Sequence, residues 1–287
     1  MLQLDRILFP VDFSQRSTAA APHVMTMGRD FNAEVIMLHV LQMPPLWYGE
    51  FAPVELETLD AQQLIQSRQK ALDQFLSREL PEDTGVHRVA EEGDPATVIA
   101  EYAYRNGVDL IMMSTHGYGP FRRLLMGSVA AKVLHDAECP VWTDVHEETS
   151  FPRESRESVL CAVDLTEESL PAIRWAAAFA RGFDAELTLV HAIPALAGPV
   201  APGETRYRNY IADHAREYIG DLQKKAGTSA RICVGGGKIA ETVRSAALQH
   251  EADLVVIGQG HLHETLGGLR SNAYAIIRQS PCPVVRV

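Results

Sequence analysis

Short apolar runs alternate along the chain with longer segments in which apolar residues recur every three or four positions. The first half contains five such runs: "RILFPVD", "AEVIMLHV", "HRVAEEG", "DLIMMS" and "CPVWTDV". The runs predict buried strands, and the segments between them, at about residues 14–30, 54–80, 96–107 and 128–137, predict helices. Strands that alternate with helices favour a doubly wound α/β fold, in which helices cover both faces of a parallel sheet.

The whole pattern of predicted strands and helices occurs twice in the sequence. "ILFPVDFSQRS" from Ile7 matches "VLCAVDLTEES" from Val159, so that Asp12 corresponds to Asp164. Later segments match in the same order, down to "ECPVW" and "PCPVV" near the two ends. Such an internal repeat indicates a tandem duplication. We predict one domain over residues 1–145 and a second over 157–287, joined by the charged, proline-containing linker "TDVHEETSFPRESRES".

Composition narrows the classes of function. The 287 residues suffice for two domains. The formal net charge of −11 argues against a general affinity for nucleic acid or for anionic membranes. No apolar run has the length of a membrane span, and the first residues lack the apolar core of a signal peptide. The four cysteines form no C-x-x-C pair and lie in or beside apolar runs, which predicts buried free thiols and a cytoplasmic protein.

Polar features follow two of the predicted strands. Asp12 ends the first strand, and the fourth strand leads into "STHGYGPFRRLLMGS", which ends at Ser128. If these strands are neighbours, both features face one crevice at the carboxyl ends of the sheet, where α/β proteins bind ligands. Gly117 and Gly127 would let backbone N–H groups approach an anion at the start of a helix. The alternative, that Ser128 only caps that helix, is equally compatible with this stretch taken alone.

The spacing of this loop resembles that of the universal stress protein family. The family pattern is glycine, two residues, glycine, nine residues, then glycine and serine or threonine; here Ser114 takes the place of the first glycine. "PVDFS", "LHV", "GDP" and "CPV" also resemble family segments, and the likeness covers essentially the whole chain twice. The resemblance implies a five-stranded sheet of order 3-2-1-4-5 in each half, of the adenine-nucleotide-binding α/β type.

The resemblance also implies which residues bind the nucleotide, with the base and ribose at one end of the site and the phosphates at the other. They are Pro10, Val11, Asp12, Val40, Ser114, Gly117, Gly127, Ser128 and Val129. The implied ligand is ATP with Mg²⁺. AMP or a cyclic nucleotide remains open, because the residues around the base would serve all of them. Arg122 and Arg123 are interpreted as solvated surface residues rather than phosphate ligands.

The second half departs from the pattern. It keeps four residues of a degenerate second site, Asp164, Gly258, Gly260 and Ser271, but its loop is one residue shorter. Arg270 stands where the first half has Gly127, at a point where the backbone must approach phosphate. We therefore expect one nucleotide per chain, bound in the first half.

No catalytic pattern accompanies the candidate site. The sequence contains no G-x-S-x-G elbow and no H-E-x-x-H pair, and no protein metal site is expected. His39 and His191, at the ends of the second strands, are expected to pack beneath the crevice. Two hypotheses follow: a non-enzymatic, ATP-binding regulator of the stress response, or a slow ATPase or nucleotide-transferring enzyme. The resemblance further implies that the two halves pair through their last strands within one chain; a homodimer is left open.

Overall fold

The fold was examined in a computed structural model, which describes residues 2–42, 61–76, 85–115, 126–144, 157–198, 203–259 and 268–287. The chain divides into two compact units, one formed by Gln3–Val141 and one that contains Trp142–Val287. The predicted domain limits at residues 145 and 157 stay predictions, because residues 145–156 lie outside the described ranges. The two ends of the predicted linker are not linker: Thr143 and Ser158 lie in strands.

The first repeat is a five-stranded sheet with helices between the strands. Its elements are β1 (Arg6–Pro10), α1 (Gln15–Phe31), β2 (Glu34–Leu41), α2 (Ala61–Gln74), β3 (Val86–Glu92), α3 (Pro95–Arg105), β4 (Leu110–Ser114), α4 (Ser128–Asp136) and β5 (Val141–Asp144). The strand order is β3-β2-β1-β4-β5, and β1 pairs in parallel with both β2 and β4. The predicted order is confirmed, and so is the neighbour relation of the first and fourth strands.

The second repeat has the same order of elements. They are β6 (Ser158–Ala162), α5 (Leu170–Gly182), β7 (Glu186–Ile193), α6 (Thr205–Ala226), β8 (Arg231–Gly236), α7 (Ile239–Gln249), β9 (Leu254–Ile257), α8 (Gly268–Gln279) and β10 (Val284–Arg286). Its strand order is β8-β7-β6-β9-β10. Even the register repeats, because Arg6 is opposite Glu34 in the first sheet and Ser158 is opposite Glu186 in the second.

Local signals explain where the helices begin and end. The Ser14 side chain accepts a hydrogen bond from the N–H of Ser17 and so caps α1, which ends at Asn32 in the left-handed conformation. Asp94 caps α3 in the same way. The helix predicted over residues 54–80 is present as α2, Ala61–Gln74; residues 54–60 and 77–80 lie outside the described ranges.

The strands form the core because both faces of each sheet are covered. Leu8 in β1 and Leu160 in β6 have no exposed surface, and burial of one such side chain stabilises the fold by about 1.5–3 kcal/mol. The prediction of buried free thiols is correct for Cys161 and Cys282 only. Cys233 lies on β8, at the edge of its sheet, and is half-buried, as is Cys139 in the turn before β5.

An aspartate before the fourth strand of each repeat holds the start of the first strand. Asp109 Oδ2 accepts hydrogen bonds from the N–H groups of Asp5 (2.8 Å) and Arg6 (2.9 Å). Asp253 Oδ2 accepts from the N–H groups of Glu157 (2.8 Å) and Ser158 (3.1 Å). Each carboxylate therefore satisfies two backbone donors at the amino end of its sheet.

This aspartate should stabilise the two repeats unequally. Asp253 is buried, whereas Asp109 is half-buried, so water replaces the lost partner less well in the second repeat. We expect Asp253→Ala to lower the free energy of unfolding by about 2–3 kcal/mol and Asp109→Ala by about 1 kcal/mol. Urea unfolding followed by circular dichroism measures both. The exposed Asp221, paired with Lys224 on the surface, supplies the control, since Asp221→Ala should cost less than about 0.5 kcal/mol. Equal losses for Asp253 and Asp109 would contradict this account.

Across the described ranges, none of the helices combines the length and the apolar character that crossing a membrane requires.

Candidate functional site

A cleft with about 820 Å³ of empty space, including open solvent at its mouth, lies at the carboxyl ends of β1, β2 and β4. Eight predicted nucleotide-binding residues line it: Pro10, Val11, Asp12, Val40, Ser114, Gly127, Ser128 and Val129. The ninth, Gly117, lies outside the described residues. The structure thus brings eight positions from four parts of the sequence to one place, and their role in binding stays a prediction.

One side of the cleft is an apolar wall. Val11 and Val40 come from the ends of β1 and β2, and Leu38 lies beneath them without exposed surface. Ile99 of α3 and Met113 of β4 complete the wall. Sequence reasoning missed these last three residues, because an apolar residue at helical or strand spacing gives no sign of whether it ends in the core or beside a cleft. The wall suits a flat, apolar ring system.

The start of α4 also lines the cleft, and the backbone N–H groups of its first turn have no acceptor within the helix. Gly127 occupies the N-cap position with φ −61° and ψ 143°, and no side chain caps the helix there. Ser128, Val129 and Ala130 of this first turn line the cleft at the positive end of the helix dipole. The alternative that Ser128 is itself the N-cap is wrong, since Ser128 is the first residue of α4.

A backbone hydrogen bond joins the two ends of the glycine-containing loop. The N–H of Gly127 donates to the carbonyl oxygen of Thr115 at 2.8 Å, so that the end of β4 and the start of α4 are held side by side. Residues 116–125, which include Gly117, Arg122 and Arg123, lie outside the described ranges. The interpretation of the two arginines stays a prediction.

Asp12 is held in place by the first turn of α1. Its Oδ1 accepts hydrogen bonds from the N–H of Ser14 (3.0 Å) and from the hydroxyl of Ser17 (2.7 Å). The Ser17 oxygen also accepts from the N–H of Asp12 at 3.3 Å. Among the described residues no hydrogen bond reaches Oδ2, so this oxygen of a cleft-lining carboxylate is available to a ligand.

The second repeat contains the same arrangement. Asp164 Oδ1 accepts from the hydroxyl of Ser169 (2.7 Å) and from both the N–H and the hydroxyl of Thr166. Ser169 follows Asp164 by the same five positions that separate Ser17 from Asp12. This internal repeat is the sequence signal that would have identified Ser17, which sequence reasoning missed.

His39 lies against the backbone beneath the cleft. Its Nδ1 is 2.9 Å from the carbonyl oxygen of Val11, and its ring lies 4.3 Å from that of Phe13. Burial lowers the pKa of His39, which keeps the ring neutral at pH 7 and makes a protonated Nδ1 the donor to Val11. His191 contacts the carbonyl of Val163 in the same way at 2.9 Å. Both histidines thus bond the backbone where the first strand ends; His39 also lines the cleft.

A polar bridge crosses between the two helices that flank the cleft. Asp94 Oδ2 accepts from Lys132 Nζ at 2.9 Å and from the N–H and hydroxyl of Thr97. Hydrogen bonds from Thr97, and then from Lys132, lower the pKa of Asp94 to about 2. Both side chains of the ion pair are about half exposed, so solvent screens the pair and it adds little to the stability of the fold. Its effect is to link α3 to α4.

The structure describes two residues of the degenerate second site in full, Asp164 and Gly258. Asp164 follows β6, and Gly258 follows β9, its neighbour in the sheet. A Cβ atom on Gly258 would lie 3.8 Å from Ala172, an ordinary contact, so the serine of the first repeat would fit there. Gly260 lies outside the described residues, and Ser271 is described only as a residue of α8.

No group of three or more histidine, cysteine, aspartate or glutamate side chains converges as a metal site in the part of the chain that the structure describes.

Comparisons of the sequence and of the structure with known proteins point to the same family. A profile of the Universal stress protein family matches residues 3–144 and again 155–287. Over 138 residues the chain is 36% identical to Universal stress protein MJ0531 of Methanocaldococcus jannaschii, which covers 47% of this chain and 79% of that protein. It is 28% identical over 148 residues to Universal stress protein MJ0577 of the same organism, covering 47% and 91%.

Solved structures also match both repeats at once. The crystal structure of a universal stress protein from Archaeoglobus fulgidus superposes with a TM-score of 0.69, covering 99% of this chain and 96% of that one. At 20% identity this likeness shows the fold. The two sequence relatives each match a length of this chain close to that of one repeat, whereas this structure matches both repeats.

Proposed function

Because the chain belongs to the universal stress protein family, as a member with two tandem repeats, we propose that its first repeat binds ATP with Mg²⁺ in the cleft described above. We further propose that the protein acts as a non-enzymatic regulator in the stress response. One observation supports the binding proposal most directly. The cleft is lined both by apolar side chains and by the start of α4, whose N-cap residue is a glycine, and this combination matches a ligand with an apolar ring and an anionic tail.

The adenine ring fits the apolar wall. Val11, Val40 and Ile99 offer aliphatic surface from three different elements, so a planar ring would be enclosed between β-strand ends and α3. Burial of a ring in such a pocket gains about 25 cal/mol for each Å² of apolar surface removed from water. No charged group other than Asp12 lines this end of the cleft in the described residues.

The phosphates fit the start of α4. Three successive N–H groups and the helix dipole favour an anion there, and Gly127 offers no side chain that would compete for them. Asp12 is a carboxylate and repels phosphate, so the nucleotide would place its neutral ribose beside Asp12 and its phosphates beside α4. This fixes the direction of the nucleotide in the cleft.

The pairing of the two halves within one chain belongs to the same proposal. The last strands of the repeats are apolar, and Val141, Val284 and Val285 have no exposed surface. Strands of this kind need cover, because bare apolar edges invite aggregation. A homodimer of the whole chain is compatible with the proposal as well.

Calorimetry on nucleotide-free protein tests the proposal. We expect saturable binding of ATP in the presence of Mg²⁺, and titrations with AMP, cyclic AMP and GTP measure selectivity for the phosphates and the base. Phosphate release is measured on the same samples, and a rate equal to that of buffer is expected for a regulator. Lack of binding to every adenine nucleotide would contradict the binding proposal. Release that rises with protein concentration would instead favour a slow ATPase.

A further inference from the structure

Hydrogen bonds from two residues at the start of α1 hold the carboxylate of Asp12 in place. Ser17, which is 3% exposed, lies in the first turn of α1 and lines the cleft beside Asp12. Its hydroxyl donates to Asp12 Oδ1 and accepts from the Asp12 backbone N–H. With the N–H of Ser14 on the same Oδ1, the side-chain torsions of Asp12 are fixed from two directions. No described residue donates a hydrogen bond to Oδ2, the oxygen that we assign to the ligand.

We propose that Ser17 is a positioning residue that gives the site its selectivity for a ribose hydroxyl group, by holding Asp12 Oδ2 toward the sugar. This inference rests on the proposed function, because it requires a nucleotide in the cleft. A carboxylate is an acceptor only, so its partner on the ligand must be an O–H or N–H donor. The sugar is the donor-bearing part of a nucleotide that lies between the apolar wall and the phosphate end.

The strength of the contact depends on this preorganisation. A hydrogen bond to a charged group is worth about 1.5–3 kcal/mol when donor and acceptor are held in line, or about a tenfold to hundredfold change in affinity. Without the Ser17 hydroxyl, Asp12 loses one partner on Oδ1 and another on its N–H. The carboxylate would then rotate among several positions, and the ribose hydroxyl would have to immobilise it on binding.

The test compares ATP with its 2′-deoxy and 3′-deoxy analogues on the full chain. For the wild type we expect at least one analogue to bind about tenfold to hundredfold more weakly than ATP. In Ser17→Ala this ratio should fall to about threefold or less, while the affinity for that deoxy analogue changes little. Ser17→Cys replaces the hydroxyl with a larger thiol, a weaker donor, and should fall between the two; Ser17→Thr keeps the hydroxyl and should restore the ratio.

The second repeat supplies a matched control. Ser169 makes the same two contacts with Asp164 that Ser17 makes with Asp12, and it is also buried. Ser169→Ala therefore removes a comparable set of hydrogen bonds. Any loss of ATP affinity that is caused by weaker folding alone should occur in both variants. We expect Ser169→Ala to leave the ATP-to-deoxy ratio at its wild-type value. Thermal unfolding of each variant shows that the protein measured is folded.

Each outcome bears on the inference. A lower ratio in Ser17→Ala and an unchanged ratio in Ser169→Ala would support it. Equal loss of ATP and deoxy analogue in Ser17→Ala would overturn it, since Ser17 would then be only structural. A wild type that binds ATP and both deoxy analogues equally would also overturn it, and would leave the proposed function intact. A wild type that binds no adenine nucleotide would overturn both.

Discussion

Gly127→Arg and Gly127→Glu are each expected to weaken ATP binding by about a hundredfold or more, which corresponds to roughly 2.7 kcal/mol. Gly127 is the N-cap of α4 and lines the cleft where the uncapped N–H groups converge. Its φ of −61° and ψ of 143° are open to every residue, so neither change strains the backbone. The loss would come from a side chain that occupies the phosphate position. The two variants carry opposite charges, and loss in both would identify obstruction as the cause.

The control for this pair is Gly220 in α6. It has a negative φ, and a Cβ atom built on it meets no other atom within 4 Å. Gly220→Arg and Gly220→Glu therefore add the same side chains and the same charges in open space. Calorimetry should return wild-type affinity for both. If Gly127→Arg binds ATP as well as the wild type does, the phosphates do not lie at the start of α4.

A titration of nucleotide-free protein should saturate at one ATP per chain. The first repeat combines Asp12 with Gly127, whereas the second keeps the equivalent Asp164 but has Arg270 at the position of Gly127. We expect a side chain as long as that of arginine to obstruct phosphate at that position. Saturation at two nucleotides per chain would contradict this prediction.

Matched substitutions assign the single site to a repeat. Asp12→Ala is expected to weaken ATP binding by about tenfold or more, because it removes the only cleft-lining carboxylate among the described residues. Asp164→Ala removes an equivalent carboxylate with the same serine partner and should leave the affinity unchanged. The reverse result would place the nucleotide in the second repeat.

Much of the architecture could be predicted from the sequence, because the same pattern of apolar and polar residues occurs in both repeats. Apolar runs at the positions of β1, β2 and β4 alternate with helical periodicity, and the internal repeat shows that the pattern is no accident of composition. The convergence of Asp12 with the loop after β4 depended on one relation, that these strands are neighbours. The pattern of apolar residues leaves that relation open; the family resemblance supplied it, and the parallel pairing of Ile7 with Leu110 confirms it.

The parts that could not be predicted depend on distances across the fold or on backbone conformation. Ser17 lies in a polar run, residues 14–18, that looks like any helix start; the internal repeat marks its position, but its contacts with Asp12 exist only once the chain turns after β1. The choice between Gly127 and Ser128 as the N-cap is a matter of one residue's torsions. Cys233 was expected to be buried because its neighbours are apolar, but the edge position of β8 exposes one side.

The aspartates that secure the first strand of each repeat lie at the end of the sheet opposite to the cleft. Asp109 bonds the backbone at Arg6, the first residue of β1, and the cleft begins at Pro10, the last. At about 3.3 Å per residue, these ends are on the order of 13 Å apart, a separation beyond which the effects of substitutions usually add. A copy produced by duplication can therefore lose its ligand and remain folded, since the changes that erase recognition do not touch the groups that hold the strand. The same independence makes the carboxyl end of either repeat a place where a new specificity could be introduced by design.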